Sequence, residues 1–233
     1  MKELIEIFVN ESKRYLTDIA DVNLFQKLFR AIALLMIQEK QGARDLTSEL
    51  SKIAYQEESG RMTKKMVNYA ISWLQESHMI GYASTAIDCD YRQIKDNSRY
   101  YFLDMGIAYF FLSRTGAHYE TIKGLLAENF VYLALRRRIE NTFEIAGIVP
   151  WIAAFEKIHG DLDFYVRSLR DYKDYGIKVK STDAEAKTTK KLLEDKKLDY
   201  LYLLKDEIKE GVDGGKIFTV PLCLADRLIF GIR

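Results

Sequence analysis

Apolar positions recur at helical spacing along the first half of the chain. Between residues 23 and 38, one apolar stripe follows the i, i+4, i+7 spacing of an amphipathic helix, and it consists of Leu24, Leu28, Ala31, Ile32 and Leu35. The same spacing predicts further helices over residues 4–16, 63–77 and 104–115, and a short helix near 50–53. The first half is therefore expected to be mainly helical.

The pattern changes after the helix at 63–77. Residues 79–83 and 98–103 are predicted to be two strands, joined by the polar loop DCDYRQIKDN. Three helices followed by a two-stranded hairpin is the order of a winged helix. We therefore predict an amino-terminal helical, winged-helix domain over residues 1–115.

The second half combines a long helix with several strands. The segment 125–135 is apolar on nearly all sides, which predicts a buried helix that begins near Gly124. A second helix is predicted over 183–197, and strands are predicted near 143–148, 152–157, 161–166, 177–180, 200–204 and 216–220. The expected fold class is α+β, with a second α/β domain over residues 116–233 that contains a mixed sheet.

One polar helix face and the hairpin loop are candidates for DNA binding. The helix at 63–77 presents Lys64, Lys65, Asn68 and Ser72 on the face opposite its apolar stripe, and Arg92 lies in the loop. Cations suit phosphates and amides suit base edges, so this face could enter a major groove. The alternative is an ordinary solvated or protein-docking face, and nearby acids in the loop, such as Asp90, weaken the cationic argument.

Acids and lysines in the second half could form a metal-dependent phosphodiesterase site. Glu128 lies inside the apolar helix, where an isolated carboxylate would be costly. Strand alternation places Asp161 and Asp163 on one face, and Lys178 and Lys180 on one face of another strand. The alternative is a buried Glu–Lys–Asp network that holds the helix to the sheet.

Composition narrows the function classes. The net charge is only +1, so nucleic-acid binding would depend on local patches. Two cysteines and three scattered histidines give neither a disulfide framework nor a zinc-ligand spacing. The run from Asp213 to Lys216 lacks the full phosphate-loop motif, so we do not expect this chain to hydrolyse nucleotides. We expect a cytoplasmic protein without a membrane segment.

Five sequence segments in order resemble the carboxy-terminal part of a family of bacterial and archaeal AAA-type ATPases. They are MTKKMVNYAISWLQESHMI, RYYFLDMGIAYFF, GLLAENFVYLAL, GDLDFYV and YGIKVKS. The resemblance implies a winged helix followed by a restriction-endonuclease-like domain with the core order α-β-β-β-α-β. It also implies that the ATPase domain is missing here, so the chain is either a fragment, natural or prepared, or a stand-alone relative.

The resemblance assigns roles to individual residues. Glu128 matches the helix acid of the endonuclease-like core, Asp163 the strand acid and Lys180 the lysine of its (D/E)-x-K motif, while Asp161 stands where the family usually has glutamate. Lys178 departs from the pattern, because it occupies the acid position of that motif. The catalytic residues would then be vestigial.

The departure at Lys178 bears on metal binding. Glu128, Asp161 and Asp163 could still form a weak Mg²⁺ site, since Mg²⁺ is often held by only one or two carboxylates and waters. Alternatively, Lys178 neutralises these acids and no cofactor binds, which is the outcome that we expect. The sequence thus predicts a DNA- or partner-binding module with an inactive nuclease-like domain; an active Mg²⁺-dependent nuclease and a protein-interaction scaffold are the alternatives.

Overall fold

The structure is a computed structural model that describes residues 1–15, 24–39, 64–155, 162–180, 187–206 and 211–231. Its helices are α1 (Lys2–Tyr15), α2 (Leu24–Glu39), α3 (Lys64–Glu76), α4 (Met105–Leu112), α5 (Tyr119–Asn141) and α6 (Lys187–Glu194), followed by a 3-10 helix (Leu222–Arg227). Its strands are β1 (Ile80–Ile87), β2 (Ile94–Phe102), β3 (Trp151–Ala154), β4 (Phe164–Arg167), β5 (Asp174–Lys180), β6 (Tyr200–Lys205), β7 (Gly211–Asp213) and β8 (Ile217–Pro221).

The strands form one mixed sheet in the order β2-β1-β3-β4-β5-β6-β8-β7. β3, β4 and β5 form an antiparallel meander, with Phe164 opposite both Ile152 and Ile177. β6 is parallel to β5, and α6 supplies the connection that two parallel neighbours require. β1 is also parallel to β3, with Ser84 opposite Trp151. The predicted mixed sheet is confirmed, and the elements from α5 to β6 follow the order α-β-β-β-α-β.

The chain divides into two compact units. The first comprises residues 1–81 and 99–122, and the second comprises residues 82–98 and 123–233. The predicted hairpin is present as β1 and β2, and both strands are longer than the sequence pattern indicated. The hairpin turn contains Asp88 and Cys89 with φ values of 53° and 57°, a left-handed conformation that aspartate tolerates better than most residues.

Aromatic packing forms the core of the first unit. Trp73 of α3 lies 4.9 Å, between ring centroids, from both Phe8 of α1 and Phe25 of α2. Phe29 of α2 stacks on Phe111 of α4 at 5.1 Å. The Asp104 side chain caps α4 by accepting a 2.8 Å hydrogen bond from the Ile107 N–H. The predicted amphipathic helices are thus held by their apolar stripes, as local spacing indicated.

In the second unit, a close approach at Gly176 organises the sheet around the candidate site. A Cβ on Gly176 would lie 2.6 Å from a methyl carbon of Leu198 and 2.9 Å from one of Leu162. Both leucines are buried with Leu192 of α6 and Tyr165 of β4 in one apolar cluster. Glycine at this position of β5 therefore lets Leu162 pack on the strand, and this packing anchors Asp163, the next residue.

Some local predictions are wrong. Residues 143–148 do not form a strand but make one isolated bridge, between Ile145 and Ser168. Gly147 there has a φ of 100°, outside the strand region, and the Trp151 ring packs against it. β4 begins at Phe164 rather than at residue 161, and β7 was not predicted. The helix expected near 50–53 lies outside the described residues.

No helix within the described part of the chain is both long enough and apolar enough to cross a membrane. The longest, α5, has 23 residues but carries several charged side chains.

Candidate functional site

Two carboxylates and one lysine meet where α5 packs near the start of β4 and the middle of β5. Glu128 of α5 is 4% exposed and Lys178 of β5 is 6% exposed. Asp163 immediately precedes β4, and its N–H donates to the Ile177 carbonyl oxygen of β5. This backbone bond fixes the aspartate beside the strand that carries Lys178.

Asp163 is held by a buried ion pair and by the backbone. The Lys178 ammonium donates to Asp163 Oδ1 at 3.1 Å, and the Val179 N–H donates to Oδ2 at 2.6 Å. Both carboxylate oxygens are therefore occupied by donors from β5. Charge-assisted hydrogen bonds of this kind are stronger than those between neutral groups.

The charge balance of the cluster alters the acidity of Asp163. Burial raises the pKa of this carboxyl, the Lys178 ammonium lowers it, and the negative charge of Glu128 raises it again; the net result is a pKa of about 6. Asp163 thus lies under the influence of one ammonium and one further acid in a poorly solvated place. Such a group can change its protonation state close to physiological pH.

The structure brings together two of the predicted catalytic residues, Glu128 and Asp163. The lysine that pairs with Asp163 is Lys178, which the sequence motif placed at a metal-ligand position. Lys180 is the last residue of β5, but its side chain lies outside the described part of the structure, as does Asp161 altogether. The predicted ion pair between Lys178 and an acid is confirmed; a catalytic role of Lys180 stays a prediction.

The same geometry limits how a metal ion could bind. Among the residues that the structure describes, no group of three or more His, Cys, Asp or Glu side chains is arranged to hold one. Glu128 and Asp163 supply two carboxylates. The Lys178 ammonium already binds Asp163 Oδ1, an oxygen that a metal ion would need as a ligand. The weak Mg²⁺ site predicted from Glu128, Asp161 and Asp163 stays a prediction, because Asp161 is not described.

The polar face of α3 is exposed as predicted for three of its residues. Lys65, Asn68 and Ser72 are exposed, whereas Ala70, Ile71 and Leu74 are buried in the core. The exposed Tyr69 lies beside Asn68 and was not singled out from the sequence. The side chain of Lys64 lies outside the described part. This face is accessible to a ligand, and its contact with DNA stays a prediction.

Arg92 is engaged by a neighbouring acid. Its guanidinium donates to both carboxylate oxygens of Asp90, from Nε at 2.8 Å and from Nη2 at 2.9 Å. The pair holds the pKa of Asp90 well below its usual range, chiefly through these side-chain hydrogen bonds. The planar fork of Arg92 is thus already satisfied by a carboxylate, which weakens its candidacy as a phosphate contact.

A second polar network was not foreseen from the sequence. Asp174 accepts a short hydrogen bond from the Tyr165 hydroxyl and a 2.8 Å bond from Arg167. Arg167 and Asp174 lie directly opposite each other on β4 and β5. Opposite charges at paired strand positions would have signalled this bridge, but only if the hairpin register had been known.

Comparisons with protein-family models, with curated proteins and with solved structures find no match for this chain.

Proposed function

We propose that this chain is the DNA-binding, carboxy-terminal part of an AAA-type ATPase, with a nuclease-like core that does not cleave. The observation that carries the proposal is the buried ion pair between Lys178 and Asp163, 3.1 Å between Nζ and Oδ1. In the resemblance described above, Lys178 occupies the position of the metal-binding acid in the (D/E)-x-K motif. Its ammonium takes the place that a divalent cation would occupy beside Asp163.

A lysine in place of the acid disfavours nuclease chemistry, because that chemistry depends on a bound metal ion. A metal ion lowers the pKa of a bound water and stabilises the phosphoryl oxygens. With Lys178 present, the ion would lose one oxygen ligand and would meet a fixed positive charge, which raises the free energy of metal binding. The Lys178 ammonium also lowers the pKa of Asp163 against the effect of burial and so favours the charged form of this acid without a metal.

The strand connections also support a nuclease-like core. From α5 to β6 the elements follow the order helix, three strands, helix, strand. The three strands form an antiparallel meander, and the fourth is parallel to its neighbour. Glu128 comes from the first helix and Asp163 from the residue immediately before the second strand, close to the positions that the resemblance implies.

The exposed face of α3 is the proposed DNA contact. Lys65 and Asn68 combine a phosphate-binding cation with an amide that can pair with a base edge. Hydrolysis of nucleotides would belong to an ATPase domain outside this chain. The sequence also allows the same face to dock a protein. The second experiment below distinguishes this alternative from DNA binding.

The first experiment tests the silenced metal site. Thermal unfolding of the wild-type chain is compared with Lys178→Glu, which restores the acid, and with Lys216→Glu, a matched charge change at an exposed position. We expect Mn²⁺ to raise the Tm of Lys178→Glu only, because a ligand that binds the folded state stabilises it. A Tm increase of the wild type that Asp163→Asn abolishes would overturn the proposal, as would Mn²⁺-dependent DNA cleavage by the wild type.

The second experiment tests DNA binding by α3. Fluorescence anisotropy of labelled duplex DNA is measured over a salt series for the wild type, for Lys65→Ala/Asn68→Ala, and for Lys191→Ala as an exposed control on α6. Loss of one phosphate contact should weaken binding by roughly 1 kcal/mol and flatten the salt dependence by about one unit of slope. If the duplex does not bind, or if the α3 variant binds it as well as the wild type does, the DNA contact is wrong. The α3 face would then be a candidate for binding a protein partner.

A further inference from the structure

The first unit contains a cavity of about 790 Å³ that is lined by four cationic side chains. We call it the cationic pocket; its cations are Lys2 of α1, Lys27 and Arg30 of α2, and Arg114, which follows α4. Phe110 and Phe111 form an aromatic wall, and Ile5 and Gln26 complete the lining. No carboxylate belongs to the lining among the residues that the structure describes.

Arg114 is oriented by an aromatic side chain and a carbonyl group. Its guanidinium carbon lies 3.5 Å from the centroid of the Phe110 ring, and its Nη1 donates a 2.7 Å hydrogen bond to the Phe110 carbonyl oxygen. These two contacts fix the plane of the guanidinium and leave further N–H donors for a ligand. A guanidinium that is already positioned loses less conformational entropy when it binds an oxyanion.

The wall of the pocket is rigid where it meets the core. Phe111 is 8% exposed and stacks on Phe29 and Phe102, at centroid distances of 5.1 Å and 6.2 Å. Phe110 lies edge-on to Phe111 at 5.2 Å. The aromatic residues therefore hold Arg114 from behind, and this arginine is the cation of the lining that the packed core positions.

We infer that the cationic pocket binds phosphorylated nucleosides, either as a free nucleotide or as a segment of single-stranded nucleic acid. Arginine and lysine side chains recognise phosphate oxygens, and planar guanidinium and aromatic groups stack on bases. The volume falls within the range of small-molecule sites and far exceeds that of one phosphate group. This inference goes beyond the proposed function, because no lining residue lies on α3 or among Glu128, Asp163 and Lys178.

The test compares two probes on the complete chain. One is a fluorescently labelled adenine nucleotide, and the other is a short labelled oligothymidylate; inorganic tripolyphosphate serves as a competitor without a base. The variants are Arg30→Ala/Arg114→Ala and, as a control that removes the same charge elsewhere, Lys191→Ala/Lys216→Ala. Both pairs are exposed, so circular dichroism should show unchanged folding.

We expect at least one probe to bind, with about tenfold or greater loss in the pocket variant and a reduced salt slope, while the control pair is unaffected. Binding of the oligonucleotide alone identifies a strand as the ligand, and binding of the nucleotide alone identifies a free nucleotide. The inference is overturned if neither probe binds, if the pocket variant binds like the control, or if tripolyphosphate displaces the probe as well as the unlabelled nucleotide does. Lys65→Ala/Asn68→Ala, which tests the α3 face, should leave this binding unchanged, so failure here is distinct from failure of the proposed DNA contact.

Discussion

The Lys178 ammonium lies 3.1 Å from Oδ1 of Asp163, and both residues are largely removed from water. Glu128, only 4% exposed, adds a second negative charge close to this pair. The lysine thus pairs with one acid, while the charge of a second acid acts on the same carboxylate. Removal of the lysine changes both the stability of the fold and the protonation of the acids.

Replacement of Lys178 by methionine should destabilise the protein by about 3–5 kcal/mol at neutral pH, because it leaves two buried carboxylates without their cation. The measurement is chemical denaturation followed by circular dichroism. The double variant Lys178→Met/Asp163→Asn serves as the control, and it should recover part of this loss because the uncompensated charge is gone. Equal stability of the two variants would mean that the Asp163 charge costs nothing once Lys178 is removed, which would contradict this explanation.

The raised pKa of Asp163 predicts a pH-dependent stability. Its pKa is about 6 in the folded chain and about 3.9 in the unfolded chain, so the folded state keeps the proton to higher pH. The stabilisation is therefore complete below about pH 4 and is lost as the pH rises through about 6, a change of roughly 2–3 kcal/mol at most. Unfolding free energies of the wild type and of Asp163→Asn, measured across this interval, should differ by an amount that changes with pH. A constant difference would contradict the prediction.

Gly176→Ala should destabilise the second unit by about 1–3 kcal/mol, because the added methyl group overlaps the buried side chains of Leu162 and Leu198. The midpoint of urea denaturation measures this effect. Gly211→Ala is the matched control, since a Cβ there meets no atom within 4 Å. If neither Leu198→Ala nor Leu162→Ala, each combined with Gly176→Ala, gives a variant more stable than the sum of the single changes predicts, the steric explanation is wrong.

The two cysteines should differ in reactivity. Cys89 is buried, and burial raises the pKa of its thiol to about 12, whereas Cys223 is exposed. Because the thiolate is the reactive form, a disulfide reagent in mildly alkaline buffer should label Cys223 rapidly and Cys89 only after denaturation. Cys223→Ser should abolish the fast phase, which is followed by absorbance; rapid labelling of that variant would place Cys89 within reach of solvent.

The sequence predicts the composition of the candidate site better than its contacts. An acid within an apolar helix and an aspartate on one face of a predicted strand made Glu128 and Asp163 candidates for a common site. Which lysine reaches Asp163 depends on the pairing of the two strands, in which the Val179 N–H binds Asp163 Oδ2. Strand alternation does not encode this register, because a turn of several residues between β4 and β5 sets it.

The helices and strands show the same contrast between features that the sequence predicts and features that it does not. Helices with a clear apolar stripe, such as α2, are predicted almost to their ends. The prediction of a strand at 143–148 is wrong. Apolar residues alternate there, as they would in a strand, but Gly147 adopts a left-handed conformation. The parallel pairing of β1 with β3 joins residues far apart in sequence, and local spacing carries no information about such partners.

That pairing also has a kinetic consequence. β1 and β2 are neighbours in the chain and can form their hairpin on the microsecond timescale of such structures. The junction of β1 with β3 must wait until the intervening chain, including α4 and α5, has closed a long loop, and the loss of chain entropy makes this step slow. From connectivity we therefore expect the locally formed hairpin to appear first and its attachment to the remaining sheet to be a late event.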